Sequence, residues 1–260
     1  HTYATAGEYI INITGDAREI DFNGIDNTAY TELISFGEDS SLNKLSLIDL
    51  ESGVDMSSIS DKPNFRAFSS IESLMEDNNG TVNQISDWDT SNVVNMKRAF
   101  YSSIFNQPIG SWDVSNVTNM QQMFRSAALF NQPLSNWDVG RVTNMSETFA
   151  FATFFNQDIG SWDVSNVTNM YRMFRQSGFN KLIVNWNVSK VQNMKEMFSY
   201  ASSFNKSIQK WDVSSVTDMK GMFSYATSFN QSLSTWDVSN VEDFSIMFQG
   251  ADSFNQPIGD

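Results

Sequence analysis

Carboxylates recur at one position of a regular pattern in this chain, directly after six of its seven tryptophans. The column comprises Asp89, Asp113, Asp138, Asp163, Asp212 and Asp237. If equivalent residues stack about 5 Å apart, as in neighbouring strands, such a column can bind a cation such as calcium. The alternative is that each carboxylate accepts backbone N–H bonds in an Asp-Val-Ser turn. Asn187 takes the seventh position and favours the turn, because it keeps the acceptor oxygen and lacks the charge.

A second polar column consists of asparagines, one in each repeat. Its members are Asn106, Asn131, Asn156, Asn180, Asn205, Asn230 and Asn255. Stacked amides can bind sugars, but an in-register asparagine more often satisfies the backbone of a turn. We therefore expect both polar columns to be structural.

Composition excludes several classes of function. The chain has no cysteine, and its single histidine is His1, so a catalytic site would have to be built from carboxylates alone. The regular aspartate column offers no pair with distinct environments, and we expect no enzymatic activity. A net charge of −14 argues against nucleic acid. No apolar run approaches the roughly 18 residues of a membrane span, so membrane insertion of this segment is not expected.

The elements that must position these residues are units of 24 or 25 residues. The tryptophans define the period: Trp88, Trp112, Trp137, Trp162, Trp186, Trp211 and Trp236. In the type unit, residues 105–129, Val117, Met120 and Phe124 have helical spacing, and residues 105–112 resemble a short strand. The pattern predicts an α/β fold, a leucine-rich-repeat-like solenoid of stacked short-strand and short-helix units, with the Met and Phe columns in its core.

The chain divides into three parts on this interpretation. Residues 1–15 are predicted to be the last strand of a preceding domain or a linker, and residues 16–80 an irregular N-terminal cap with degenerate repeats. Residues 81–260 hold seven repeats and the start of an eighth, so we expect the natural protein to continue. The cap is acidic, and Asp16, Asp21 and Asp26 form a candidate calcium site. No other cofactor is expected.

Function is expected where residues break the pattern, between the fixed apolar residues of the strand segment. The candidate ligand-binding residues are Gln107, Ser111, Gln132, Asn136, Gln157, Ser161, Lys206 and Lys210. They are polar and weakly charged, which favours hydrogen bonding to a protein or glycan along an extended solenoid face. The competing hypothesis is a structural spacer without a ligand. An apolar or aromatic patch on the variable face would indicate a binder.

The repeat resembles the BspA-like leucine-rich-repeat surface proteins of bacteria, in the branch whose units read FNQxIxxWDVSNVTNMxxMF. Residues 105–124, 155–174 and 204–223 carry the closest matches. Residues 1–14 look like the last strand of a polycystic-kidney-disease-type domain. The resemblance implies a cell-surface or secreted protein with a role in adhesion to a cell-surface or matrix protein or a glycan, and it supplies no catalytic residues.

Overall fold

The computed structural model describes residues 19–21, 44–46, 69–77 and 85–258. Strand β1, Glu19–Asp21, pairs in parallel with strand β2, Lys44–Ser46, and one short 3-10 helix spans Ile85–Asp87. Within the described ranges there is no α-helix and no further strand, only isolated bridges. No helix in that part of the chain is long and apolar enough to cross a membrane.

The predicted α/β fold class is wrong, because the repeats contain neither the short helix nor the short strand. Where the helix was expected, Met123 N–H donates to Met120 O at 3.1 Å and Ala127 N–H donates to Phe124 O at 3.1 Å, which are bonds of consecutive turns. Gln122 has φ 57°, a left-handed conformation that a right-handed helix does not tolerate. Consecutive turns also space apolar residues by three and four, which is why the pattern resembled a helix.

Backbone hydrogen bonds link one repeat to the next instead of closing within a helix. In the turn segment, alternate N–H groups donate to the following repeat: Met120 to Asn144 O at 3.0 Å and Gln122 to Ser146 O at 2.9 Å. One parallel bridge per repeat, such as Asn119 with Asn144, is all that remains of a strand. The bonds satisfy backbone groups only when a neighbour is present, so each repeat depends on the next.

The apolar columns form one continuous core, which confirms the prediction for the Met and Phe columns. Trp162 is 3 % exposed, and its Nε1–H donates to Leu134 O of the preceding repeat at 2.9 Å. Fully buried phenylalanines flank the tryptophans in two columns. The turn-side column is Phe100, Phe124, Phe149, Phe174, Phe198 and Phe223, and the tryptophan-side column begins Phe105, Phe130, Phe155 and Phe179.

The spacing between repeats differs across the stack, and this difference makes the stack curve. Neighbouring tryptophan rings lie 6.3–6.4 Å apart, and rings of the tryptophan-side phenylalanine column 5.9–6.3 Å apart. Rings of the turn-side column lie only 5.2–5.8 Å apart. Because rings within a column are nearly parallel, these separations follow the local rise per repeat. The turn segments therefore line the inner side of the curve.

The stack begins before the first tryptophan. Ile71 N–H donates to Asn95 O at 3.0 Å and Ser73 N–H to Lys97 O at 3.0 Å, so residues 69–77 form a layer on the first tryptophan repeat. The predicted division of residues 1–80 into a terminal strand and a cap falls mostly outside the described residues and stays a prediction.

Candidate binding face

The aspartate column forms turns, as predicted. Asp113 Oδ1 accepts the N–H of Ser115 at 2.9 Å, and Asn187 Oδ1 accepts that of Ser189 at 3.2 Å. The hydroxyl and the N–H of Ser165 stabilise the carboxylate of Asp163 and hold its pKa below the ordinary value. The amide of Asn187 and the carboxylates of the aspartates therefore have the same role, which is to accept the N–H of the residue two positions later.

The metal hypothesis finds no support in the described residues, which contain no group of three or more acidic or histidine side chains arranged to hold an ion. Asp16 and Asp26 lie outside those residues, and so does the side chain of Asp21, whose backbone belongs to β1. The calcium site in the cap stays a prediction.

The asparagine column connects repeats. Asn131 Oδ1 accepts the backbone N–H of Asn156 at 3.0 Å, and Asn156 Oδ1 accepts that of Asn180 at 2.9 Å. The structural role was predicted correctly, although the donor is the next repeat and not the local turn, and the column is half-buried or exposed. These amides are engaged in holding the stack together.

The eight candidate ligand-binding residues lie on the outer, tryptophan side of the curve, exposed or half-buried. Several bond to neighbouring repeats: Gln132 Nε2 donates to Asn106 O at 3.0 Å, and Ser161 Oγ to Ser135 O at 3.1 Å. Gln157 and Ser111 make the same kinds of bond. Gln107, Asn136 and Lys206 lie on the same side. Lys210 borders a recess of about 490 Å³ that Trp211 and Asp237 also line.

A different set of side chains stands out on the inner side of the curve. We call it the arginine–aromatic band, and it consists of Tyr101, Arg125, Phe151, Arg175, Tyr200 and Tyr225. The Arg125 guanidinium lies 5.4 Å from the Tyr101 ring centre and 5.6 Å from that of Phe151. Arg175 lies 5.8 Å from Phe151 and 5.5 Å from Tyr200. The Tyr200 and Tyr225 rings stack at 4.7 Å. The band thus runs unbroken across six successive repeats.

Glutamates beneath the band neutralise its arginines. Glu147 pairs with Arg125 at 2.9 Å, and Glu196 pairs with both Arg172 and Arg175. The two glutamate side chains are only 10 % and 14 % exposed, so the pairs are partly desolvated and fixed in position. Burial, followed by the charge of Arg172, lowers the pKa of Arg175 from its ordinary value. The carboxylates therefore offset most of the positive charge of these arginines.

The backbone under the band is strained where its aromatic residues lie. Phe151, Tyr200 and Tyr225 have φ of 62°, 58° and 56°. A left-handed conformation costs a bulky residue about 1–2 kcal/mol. Ser126 and Gln176 hold the same conformation in other repeats, with φ of 60° and 51°, and Gly250 takes the position in another. The left-handed backbone therefore belongs to the repeat itself, and three of the residues that occupy it are aromatic.

An apolar row follows the band residues along the chain in three consecutive repeats. It consists of Ile104, Leu129 and Phe154, which are 51 %, 45 % and 63 % exposed. A recess of about 430 Å³ lies at the other end of the band, with Tyr200, Tyr225 and the 51 % exposed Ile246 in its lining. An aromatic and apolar patch is thus present, but it lies away from the variable face on which such a patch was expected to indicate a binder.

Sequence reasoning missed the band because its members occupy two adjacent positions of the repeat. Arg125 and Arg175 precede a buried alanine or serine by two residues, whereas Phe151 and Tyr200 precede one by a single residue. No single column therefore shows the pattern. The available signal was the choice of aromatic residues at a position that holds serine, glutamine or glycine in other repeats.

The comparisons with known proteins assign the chain to a family. The model of a family described as Mycoplasma protein of unknown function, DUF285, matches residues 69–183 and 175–260. These ranges cover most of the chain, which therefore belongs to this repeat family. Neither the curated proteins nor the solved structures include a match. The resemblance expected from the repeat holds at the level of a repeat family and does not extend to leucine-rich repeats.

Proposed function

We propose that this chain is a non-enzymatic binding module, displayed outside the cell or on its surface, that serves adhesion by binding a protein or glycan. The arginine–aromatic band carries the proposal. Repeat proteins bind along the extended concave surfaces that their curvature creates, and the band lies along the inner side of this stack. The extracellular setting and the adhesive role rest on the resemblance of the repeat to BspA-like surface proteins.

The spacer hypothesis fits this surface less well. A spacer needs only a uniform polar surface, on which serine, glutamine or glycine at the left-handed positions would serve. Instead, Phe151, Tyr200 and Tyr225 hold aromatic rings there. Aromatic and arginine side chains are the types enriched at the centres of interfaces. The aromatic side chains at these positions therefore favour recognition over spacing.

A non-enzymatic role is consistent with how the regular carboxylates are used. Asp113, Asp163 and Asp212 accept hydrogen bonds from the serines two residues later, and Glu147 and Glu196 pair with arginines. The net charge of −14 leaves nucleic acid out of the proposed partners.

The test is binding of the folded chain to an array of glycans and extracellular-matrix proteins. We expect the double variant Tyr200→Ser/Tyr225→Ser to lose at least about tenfold in affinity for whatever the wild type binds, as truncation of central aromatic residues does. Ser126 has the same left-handed backbone as these tyrosines, so the variant should fold, which a thermal melt checks.

The matched control is Gln209→Ser on the outer side, where Ser135 and Ser234 occupy the equivalent position. It should bind as the wild type does. Binding that is lost in the control and kept in the double variant would move the site to the outer face. If the wild type binds nothing on the array, the spacer hypothesis is favoured.

A further inference from the structure

The rings of the band expose their edges, because neighbouring repeats cover their faces. Phe151 lies between Arg125 of the preceding repeat and Arg175 of the following one, at 5.6 and 5.8 Å. Tyr200 lies between Arg175 at 5.5 Å and Tyr225 at 4.7 Å. Phe151 and Tyr200 therefore each have a neighbour on both sides along the stack.

The last ring of the band is covered in the same way. Tyr225 stacks on Tyr200 on one side, and on the other it lies so close to Gly250 that a Cβ there would come within 2.5 Å of the ring. Glycine at this position of the following repeat leaves room for the ring. The outward surface of the band is thus made of ring edges, tyrosine hydroxyls and guanidinium groups.

Covered faces change which ligands the band fits. Sugars and nucleobases bind aromatic side chains by lying flat on a free ring face, and the band offers none. Glu147 pairs with Arg125, and Glu196 pairs with both Arg172 and Arg175, which weakens the attraction for a polyanion. Ring edges, hydroxyls and the exposed Ile104, Leu129 and Phe154 instead match the composition of protein interfaces.

The separation of neighbouring rings in the band is closer to the pitch of a helix than to the repeat of a strand. Tyr200 and Tyr225 lie 4.7 Å apart, and the buried turn-side rings beneath the band repeat every 5.2–5.8 Å. An α-helix rises about 5.4 Å per turn, which differs from the ring separation in the band by about 0.7 Å per repeat. Alternate residues of a strand are about 6.7 Å apart, which differs by about 2 Å per repeat, so a helix follows the band more closely.

We infer that the partner is a protein that lays an amphipathic α-helix along the inner face, parallel to the stack, with one apolar side chain per helical turn against each repeat of the band. The inference rests on the proposed function, because it names the partner class for the same surface. The apolar side chains of the helix contact the ring edges and Ile246, and its flanking polar groups bond to the tyrosine hydroxyls.

The test uses methyl NMR of the full chain labelled at its isoleucines. Ile104 and Ile246 are exposed toward the two ends of the band, and Ile183, which is 0 % exposed and belongs to the tryptophan-side segment, serves as the internal control. The probes are three 22-residue peptides of one composition: a helix with a single leucine stripe, a helix with the leucines scattered around it, and a sequence with leucine at alternate positions. Cellohexaose and a hyaluronan oligosaccharide are the glycan probes.

We expect the striped helix to shift the methyl signals of Ile104 and Ile246 and to leave that of Ile183 unchanged. The scattered helix should bind at least about tenfold more weakly, since an apolar anchor that misses its place loses more than about 1.4 kcal/mol. The double variant Tyr200→Ser/Tyr225→Ser should weaken the striped helix similarly, and Gln209→Ser should leave it unchanged.

The outcomes separate this inference from the proposed function. Shifts at the same isoleucines from a glycan alone, or stronger binding of the alternating peptide, would overturn the helix while supporting the band as a binding face. If no probe shifts the isoleucine signals, the inference of a helical partner is also overturned. The proposed function would then stand only if array binding is lost in the double variant.

Discussion

The ladder of tryptophan hydrogen bonds makes a sharp prediction about stability. Trp162 is 3 % exposed, stacks on Trp137 at 6.3 Å, and donates its Nε1–H to Leu134 O at 2.9 Å. Replacing it by phenylalanine keeps an aromatic ring and removes the only donor of the side chain. The carbonyl of Leu134 then keeps one donor, the N–H of Trp137 at 3.1 Å, and loses the other.

The expected loss has two parts. The loss of one of the two hydrogen bonds to a buried carbonyl costs about 0.5–1.5 kcal/mol, and the missing part of the indole leaves a cavity that costs roughly 1–2 kcal/mol. Trp162→Phe should therefore lower the free energy of unfolding by about 1.5–3.5 kcal/mol. Trp236→Phe should cost less, because Trp236 is only partly buried and its bond to Ile208 O is longer, at 3.2 Å.

Urea denaturation followed by fluorescence of the remaining tryptophans measures both variants, and calorimetry checks that the stack unfolds in one transition. Trp137→Phe, in an equivalent environment with 4 % exposure, should repeat the result for Trp162→Phe. A Trp162→Phe variant whose free energy of unfolding lies within about 0.5 kcal/mol of the wild type, the size of an ordinary surface substitution, would contradict this role of Trp162. An equal loss in Trp236→Phe would contradict it as well.

Three further substitutions test the asparagine, aspartate and glutamate side chains separately. Asn156→Ala removes the acceptor for Asn180 N–H and should cost about 0.5–1.5 kcal/mol in urea denaturation, whereas Asn156→Asp should cost less. Asp163, whose pKa is lowered by Ser165, stabilises the fold above the unfolded pKa near 3.9, and that part is lost as pH falls through the folded value. The stability gap between the wild type and Asp163→Asn should therefore narrow from pH 7 to pH 2.5, and a constant gap would contradict this. Glu196→Gln removes the carboxylate between two arginines and should cost about 1–3 kcal/mol, less in 1 M salt; an unchanged melting temperature would contradict it.

The period, the buried columns and the turn-forming aspartates could be predicted from the sequence, because each rests on one residue type at one position. The helix could not be told from turns, since Met120, Met123 and Phe124 have spacings that both produce. What distinguishes them is the left-handed backbone at Gln122 and Ser126. Neither residue is glycine, so no sequence signal marks these positions.

The binding face was missed for a related reason. Whether Phe151 or Gln107 faces a partner depends on which side of the stack is concave, and curvature follows from differences of less than 1 Å in the rise between repeats. A repeat pattern fixes which residues share a column, but it does not state the spacing within each column. The binding residues predicted from the sequence therefore belong to a segment that lies on the outer side.

Bonds that run between repeats also determine how the molecule responds to tension. Met120, Gln122 and Phe124 each donate to the next repeat, so a pull on the ends of the stack acts along the bonds that join its layers. Repeats would detach one at a time from the ends, and each would release about 25 residues, or roughly 80–90 Å of extended chain. A tether built from this stack lengthens in steps under load, absorbing work at each step while the remaining layers keep their inner face intact.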